Sequence, residues 1–517
     1  MPGFVRLIAA CVLALALTVA SAAAAAAAAA SVTAASAVAA PAAAAPAAAL
    51  PASVEAALRT TGIPPDAVSI VLQEAAAQRP VLAHNAERSM SPASVMKLVT
   101  TYAGLEMLGP AFTWSTEAFA TGALADGILT GDLVLRGNGD PKLTIENFWL
   151  LLRGVRARGV QEIRGDLVLD RSYYGFDPGD PGRFDNEPLQ VYNTLPDALL
   201  VNHKAVRLTF IPDTDSRRVR ILADPPLSEL RIVNQLTLDA APCGDWRARV
   251  KTEMGAEPGG GARLVFAGNY SVLCGEQSRH YSILSPQVYA GGLFRQLWGE
   301  LGGRLTGSVR DGVVPHGARL LAAHESPALS EVVRDINKYS NNAMSQQLYL
   351  ALGAAAFGPP ATPEKSDRAV KQWLAQKRLD LPELVIENGS GLSRIERVSA
   401  RGLGTMLAAA WRSPVMPEFI ASMPVVGVDG TLRRFKHLSY ARQAHIKGGT
   451  INGVRAIAGY VLDATGRRWI VACFINHPKV HNGNAQMIFD ALLQWAYSRG
   501  GTLPQLSTET LVPVPPQ

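Results

Sequence analysis

The chain is poor in several features that would have assigned it a function quickly. Four cysteines in 517 residues are too few for a disulfide scaffold. Nine histidines stand without metal-ligand spacing, so neither a zinc site nor any other cofactor is expected. There is no block of lysine and arginine, and 49 basic against 43 acidic residues leave a net charge of only +6. Nucleic-acid binding therefore lacks its electrostatic footprint. The N-terminal apolar run, residues 7–20 behind Arg6, is short for a membrane span and leads into Val19-Ala20-Ser21-Ala22. That pattern reads as a cleavable export signal, with an uncleaved anchor as the alternative, and places the mature protein in the periplasm with no stable span. Residues 22–49 are alanine-rich low complexity and read as a linker.

What is present describes a globular protein: 48% hydrophobic and 18% charged residues, in a chain long enough for two or more domains. Export makes cysteine pairing possible. Cys11 leaves with the signal, and Cys473 sits in an apolar strand-like run. Cys243 and Cys274 flank one β-rich block and are expected to form a structural disulfide.

The stretch that organises the chain is Ser91-Pro92-Ala93-Ser94-Val95-Met96-Lys97. Pro92 suits a helix start, and Val95, Leu98, Val99, Tyr102 and Leu105 follow with helical spacing. Three residues are nearly one turn, so the Ser94 hydroxyl and the Lys97 amine project from one face. A serine nucleophile needs that arrangement if a lysine is to take its proton. The helix N-terminus adds amide donors where an oxyanion would form. Alone, such a pair is also what a solvated helix surface looks like.

The remainder reads in blocks. Residues 68–72 form a strand and 83–90 a loop. Residues 128–135 and 165–169 form strands around a helix at 145–158, and Gly165-Asp166-Leu167-Val168-Leu169 echoes Gly131-Asp132-Leu133-Val134-Leu135. Strands follow at 206–211, 218–222, 230–238, 246–252 and 262–266, separated by Pro, Asp and Gly turns. Helices return after residue 322. Ser340-Asn341-Asn342 lies at a helix–helix junction, Glu387-Asn388-Gly389 makes a tight turn, and Lys447-Gly448-Gly449-Thr450 lies on a strand beside two others. The division this implies is a signal and linker (1–50), a discontinuous domain (51–117 and 322–500), an inserted module (118–321) with a nested β domain at about 176–284, and a Pro-rich tail (501–517). Each polar cluster also has a plain reading: Ser340 and Asn342 as caps of the next helix, Lys447 as a strand-end charge, Asn202 as a loop hydrogen bond.

In order, Ser94-x-x-Lys97, Ser340-x-Asn342 and Lys447-Gly448-Gly449 resemble the three motifs of penicillin-binding proteins and serine β-lactamases. The long insertion, with Gly139-Asp140-Pro141, Asn337-Lys338 and Gly389-Ser390-Gly391-Leu392-Ser393-Arg394, is similar to the D-alanyl-D-alanine carboxypeptidase/endopeptidase family, the class C low-molecular-mass penicillin-binding proteins. The resemblance implies an α/β (α+β) fold: a transpeptidase-like domain with an antiparallel sheet flanked by helices, plus a β-rich insertion. It implies a serine hydrolase of peptidoglycan stem peptides that β-lactams trap. Ser94 would be acylated and Lys97 would be its base. Ser340 would relay the proton, Asn342 would hold the substrate amide, and Lys447 would stabilise charge. Gly449 and Thr450 would contact substrate, with the Ser94 and Thr450 amides as oxyanion hole, and Asn202 would line the cleft. Two points stay open. Gly448 stands where the family has threonine, and Tyr339-Ser340-Asn341 offers a second register for the middle motif. A β-lactamase or esterase, and a silent wall-binding protein, are the alternatives.

Overall fold

The computed structural model describes residues 49–499. The expected signal, nearly all of the alanine-rich linker and the Pro-rich tail lie outside them. The chain begins its first sheet with β1 (Val68–Glu74) and β2 (Leu82–His84). Residues 83 and 84, expected as the start of a loop, belong to β2 because they pair with β1, Val71 opposite Ala83 and Ile70 opposite His84. The nucleophile segment follows as a 3₁₀ turn, Ala93–Met96, running into helix α1 (Lys97–Leu108).

The next stretch builds sheets of its own. β3 (Ser115–Ala120), β4 (Leu133–Gly137), helix α2 (Ile145–Ala157) and β5 (Leu167–Asp170) come first. The five-residue echo has a structural meaning: β4 and β5 are parallel neighbours across α2, with Leu133, Val134 and Leu135 opposite Leu167, Val168 and Leu169. The strand expected at 128–135 is in fact two. Gly131 (φ 153°) breaks it, and residues 128–130 pair in a different sheet.

Six longer strands follow: β6 (Ala205–Asp213), β7 (Arg218–Asp224), β8 (Leu230–Asp239), β9 (Val250–Ala256), β10 (Ala262–Ser271) and β11 (Gln277–Ser282). They form two three-stranded sheets, β7–β6–β11 and β8–β10–β9. Residues 246–249, expected as strand, are a helical turn, because the Asp245 side chain accepts the Arg247 amide at 3.1 Å and caps it. Cys243 and Cys274 are joined by a disulfide at the edge of this block. β12 (Val309–Asp311) and β13 (Arg319–Glu325) complete the sheet order β12–β5–β4–β3–β13, so the segment that leaves on β3 returns beside it. Leu135, Phe148, Leu208, Phe266 and Trp298 lie in one buried cluster of this region.

Helices α3 (Leu329–Tyr339), α4 (Asn342–Phe357) and α5 (Ala400–Trp411) come next. The chain then closes the first sheet with β14 (Ala444–Ile451), β15 (Val454–Leu462) and β16 (Arg468–Asn476), and α6 (Asn484–Ser498) is the last helix of the described residues. The sheet order is β14–β15–β16–β1–β2, antiparallel throughout. Both faces are covered, which explains the unbroken apolar run in β16. Ile470, Ala472 and Phe474 pack with α1, α3 and α5, while Val471, Cys473 and Ile475 pack with α6 and the helix Ala52–Thr61. The mixed α/β architecture with an antiparallel main sheet is the one the sequence implies. Among the described residues no helix is long and apolar enough to cross a membrane.

The disulfide closes a loop of 31 residues. Replacing both Cys243 and Cys274 by serine is expected to lower the unfolding free energy by about 3 kcal/mol. Denaturant titration of the oxidised wild type and the double variant checks this.

Candidate active site

Three distant segments converge at the start of α1. Lys97 is fully buried, and its Nζ lies 3.1 Å from Ser94 Oγ, 2.6 Å from Asn342 Oδ1 and 2.5 Å from the carbonyl oxygen of Ser390. The Asn342 amide has one sensible orientation, because its Nδ2 donates to the Tyr192 carbonyl at 2.9 Å and a carbonyl can only accept. Oδ1 therefore faces Lys97. A neutral amine has two hydrogens and one lone pair. Asn342 Oδ1 and Ser390 O take the hydrogens, which leaves the lone pair for the hydroxyl of Ser94.

Burial is the main reason that Lys97 can be neutral. It drives the amine well below its ordinary value, and the nearby charge of Lys447 adds to the effect, while Glu396 opposes it. Lys447 is also fully buried, and burial brings it down to about 7. Its Nζ donates to Ser340 Oγ at 2.8 Å and to the Gly448 carbonyl at 2.6 Å.

The middle motif owes its geometry to a break between two helices. Ser340 ends α3 in the left-handed conformation (φ 58°), which turns its hydroxyl towards Lys447. Asn341, not Asn342 or Ser340, caps α4 by accepting the Met344 amide at 3.1 Å. Tyr339 is 63% exposed. The capping reading and the Tyr339/Asn341 register both lose their residues, and Ser340 with Asn342 is the pair the fold brings to Ser94.

Glycines set how closely the segments approach. A Cβ on Gly449 would lie 2.9 Å from the Ser94 nitrogen and 2.7 Å from the Pro92 carbonyl oxygen. A Cβ on Gly391 would come within 2.7 Å of that same Ser94 nitrogen. β14 is an edge strand with unbroken register against β15. The Ile446 amide donates outward to Pro424 at 2.9 Å, so the amides of Gly448 and Thr450 face the same open side, beside the Ser94 nitrogen.

Ser94 opens into a cavity of about 460 Å³, lined also by Ser340, Gly448, Gly449, Thr450 and Arg455. Asn202 takes no part in it. Its side chain donates to the Ala205 carbonyl at 3.1 Å and the Tyr289 hydroxyl at 2.9 Å, and its left-handed backbone (φ 47°) belongs to a turn that starts β6.

Two contributors have no counterpart in the motif reading. The Tyr192 carbonyl comes from the 115–325 stretch; Tyr192-Asn193 is similar to the family there, but a backbone oxygen has no side-chain signal of its own. The Glu387-Asn388-Gly389 loop, read as a turn, is more than that. Glu396, buried to 1% exposure, accepts the amides of Glu387, Asn388 and Gly389 at 3.1, 3.0 and 2.8 Å. The Gly389 carbonyl then takes the hydroxyls of Thr100 and Ser345, and the next carbonyl, Ser390, takes Lys97. A buried acid a few residues past a glycine loop was the available signal.

Glu396→Gln keeps an oxygen for the three amides but removes the negative charge that raises the Lys97 pKa. The Lys97 pKa then falls further, so the acid limb of Ser94 acylation is expected to move to lower pH. Rates with a chromogenic β-lactam across pH check the direction.

Residues 50–498 match the model of the D-Ala-D-Ala carboxypeptidase 3 (S13) family. The chain is 28% identical over 425 residues to the D-alanyl-D-alanine carboxypeptidase of Actinomadura sp. (strain R39), covering 79% of this chain and 77% of the relative. It is 24% identical over 403 residues to the D-alanyl-D-alanine carboxypeptidase DacB of Haemophilus influenzae, covering 76% and 82%. The crystal structure of penicillin-binding protein 4 (dacB) from Haemophilus influenzae superposes with a TM-score of 0.73 at 21% identity, over 86% of this chain and 99% of the other. With the match spanning almost every described residue, the chain belongs to the D-Ala-D-Ala carboxypeptidase 3 (S13) family.

Proposed function

We propose that the protein removes the terminal D-alanine of peptidoglycan stem peptides through an acyl-enzyme on Ser94. The observation that carries this is the Lys97 amine, buried and 3.1 Å from the Ser94 hydroxyl. The neutral amine takes the hydroxyl proton as Ser94 Oγ bonds to the carbonyl carbon between the two D-alanines. The Ser94 and Thr450 amides hold the developing oxyanion, and Asn342 orients the substrate amide. The carbon–nitrogen bond then breaks. Ser340, between Lys447 and the leaving group, passes a proton to the departing amine. Water hydrolyses the ester by the reverse sequence. β-Lactams carry the same reactive carbonyl and stop at the acyl stage.

Cleavage of peptide cross-links belongs to the same reading. The cavity at Ser94 is lined also by Phe435, Gln486 and Phe489, and its volume of about 460 Å³ leaves room for more than a single alanine. A silent binder fits less well, because Lys97 reaches Ser94 and Lys447 reaches Ser340 at hydrogen-bond distance, and a β-lactamase fits less well because of the long insertion between the first and second motifs. We further propose that residues 118–321 act as an inserted module on the catalytic domain formed by 51–117 and 322–500, and that the N-terminal segment exports the chain to the periplasm.

Labelled penicillin is expected to form a stable adduct that peptide mapping places on Ser94, and Ser94→Ala is expected to lose both adduct and D-alanine release. Product analysis on cross-linked muropeptides separates terminal trimming from cross-link cleavage. A wild-type protein that forms no adduct and releases no D-alanine would contradict the reading.

A further inference from the structure

The third motif lacks a hydroxyl that the family resemblance leads one to expect, and the structure shows what stands near the gap. Gly448 is not a glycine for steric reasons: a Cβ there would meet nothing within 4 Å. The missing side chain leaves open space on the cavity side of β14, since residues 448 and 450 share one face of the strand. Directly across the ladder, Arg455 on β15 pairs with Thr450, and Ile457 with Gly448. All four line the cavity that holds Ser94.

Arg455 is placed as an anion receptor. Its Nη1 donates to Thr450 Oγ1 at 2.6 Å. An arginine only donates, so Thr450 must accept, and its own proton is free to point into the cavity. Arg455 Nε is buried and has no partner. No acidic residue lines this cavity, and a second guanidinium, Arg434, does. Burial and the charge of Arg434 both press on Arg455 and lower its pKa, which an entering carboxylate would relieve.

We propose that Arg455, with Thr450 and with Arg434 beside it, binds the terminal carboxylate of the substrate, the function that a threonine hydroxyl at position 448 would otherwise share. A guanidinium can meet a carboxylate with two parallel hydrogen bonds, which fixes the leaving D-alanine more firmly than one hydroxyl. Arg455 is thus a specificity residue for a free acid at the substrate's end. This inference rests on the carboxypeptidase reading above.

The test uses an N-acetylated tripeptide ending in D-Ala-D-Ala, as the free acid and as the C-terminal amide. Wild type is expected to prefer the acid. Arg455→Gln is expected to lower the ratio of kcat/KM for acid over amide by about 10- to 100-fold, mainly through KM. Adding Gly448→Thr to Arg455→Gln is expected to recover part of the ratio, since the space for that side chain is open. Arg434→Gln, at an exposed position, is expected to lower the ratio more weakly, and it reads the same quantity if Arg455→Gln fails to fold. An unchanged ratio in both arginine variants overturns the proposal, and so does an equal fall on acid and amide, which would mean that Arg455 only holds the strand. Cleavage of neither peptide by wild type overturns the carboxypeptidase reading itself, and this inference with it.

Discussion

Two lysine side chains are buried side by side at the head of one helix, and the chemistry of the cleft follows from the difficulty of charging both. Taking a single ammonium out of water costs several kcal/mol even after relaxation. Lys97 and Lys447 are both fully buried, and each has only neutral oxygens in hydrogen-bond reach. The pair therefore sheds a proton far more readily than free lysines would. Lys97 is the one that gives it up, because burial and the charge of its neighbour act together on it. Its two acceptor partners then aim the lone pair at Ser94.

Much of the remaining architecture serves to hold that pair dry and close. The Glu396 carboxylate ties down the loop whose carbonyl takes one hydrogen of Lys97, and the Tyr192 carbonyl fixes the amide that takes the other. Gly391 and Gly449 let two unrelated stretches of backbone close on the Ser94 nitrogen. Phe184 packs against the cluster of Ala93, Ile451 and Val454, so the stretch that carries Tyr192 also rests on the Ser94 segment and the hairpin beside it. Residues of the 115–325 stretch thus touch both the Asn342 amide and the segment that carries Ser94.

The sequence was most legible where chemistry is local. Ser94 and Lys97 share a helical turn, and Lys447 sits in a strand flagged by its own hairpin, so spacing placed them on their elements and the three-motif resemblance singled them out. The echo at 131–135 and 165–169 suggested a small β-α-β unit, and the structure pairs the two strands in parallel. Legibility failed where a residue's partner lies far away in the chain or is a backbone atom. Asn202 looked like a cleft residue, but Tyr289, 87 residues away, claims its side chain. Trp246 and its neighbours have strand-like composition, yet one aspartate cap turns them into a helical turn. Glu396 and the Tyr192 carbonyl carry no periodic signal, and Arg455 gains its meaning only from the register that sets it opposite Thr450.

The central claim is that Lys97 is an uncharged amine at the pH where the enzyme works. Nitrogen-15 NMR of lysine-labelled protein observes this directly, with the Lys97 and Lys447 signals assigned from Lys97→Arg and Lys447→Arg. The account predicts a neutral-amine signal for Lys97 at pH 7 that becomes ammonium only on acidification. An ammonium signal for Lys97 that persists up to the ordinary lysine range, about 10.4, would contradict it.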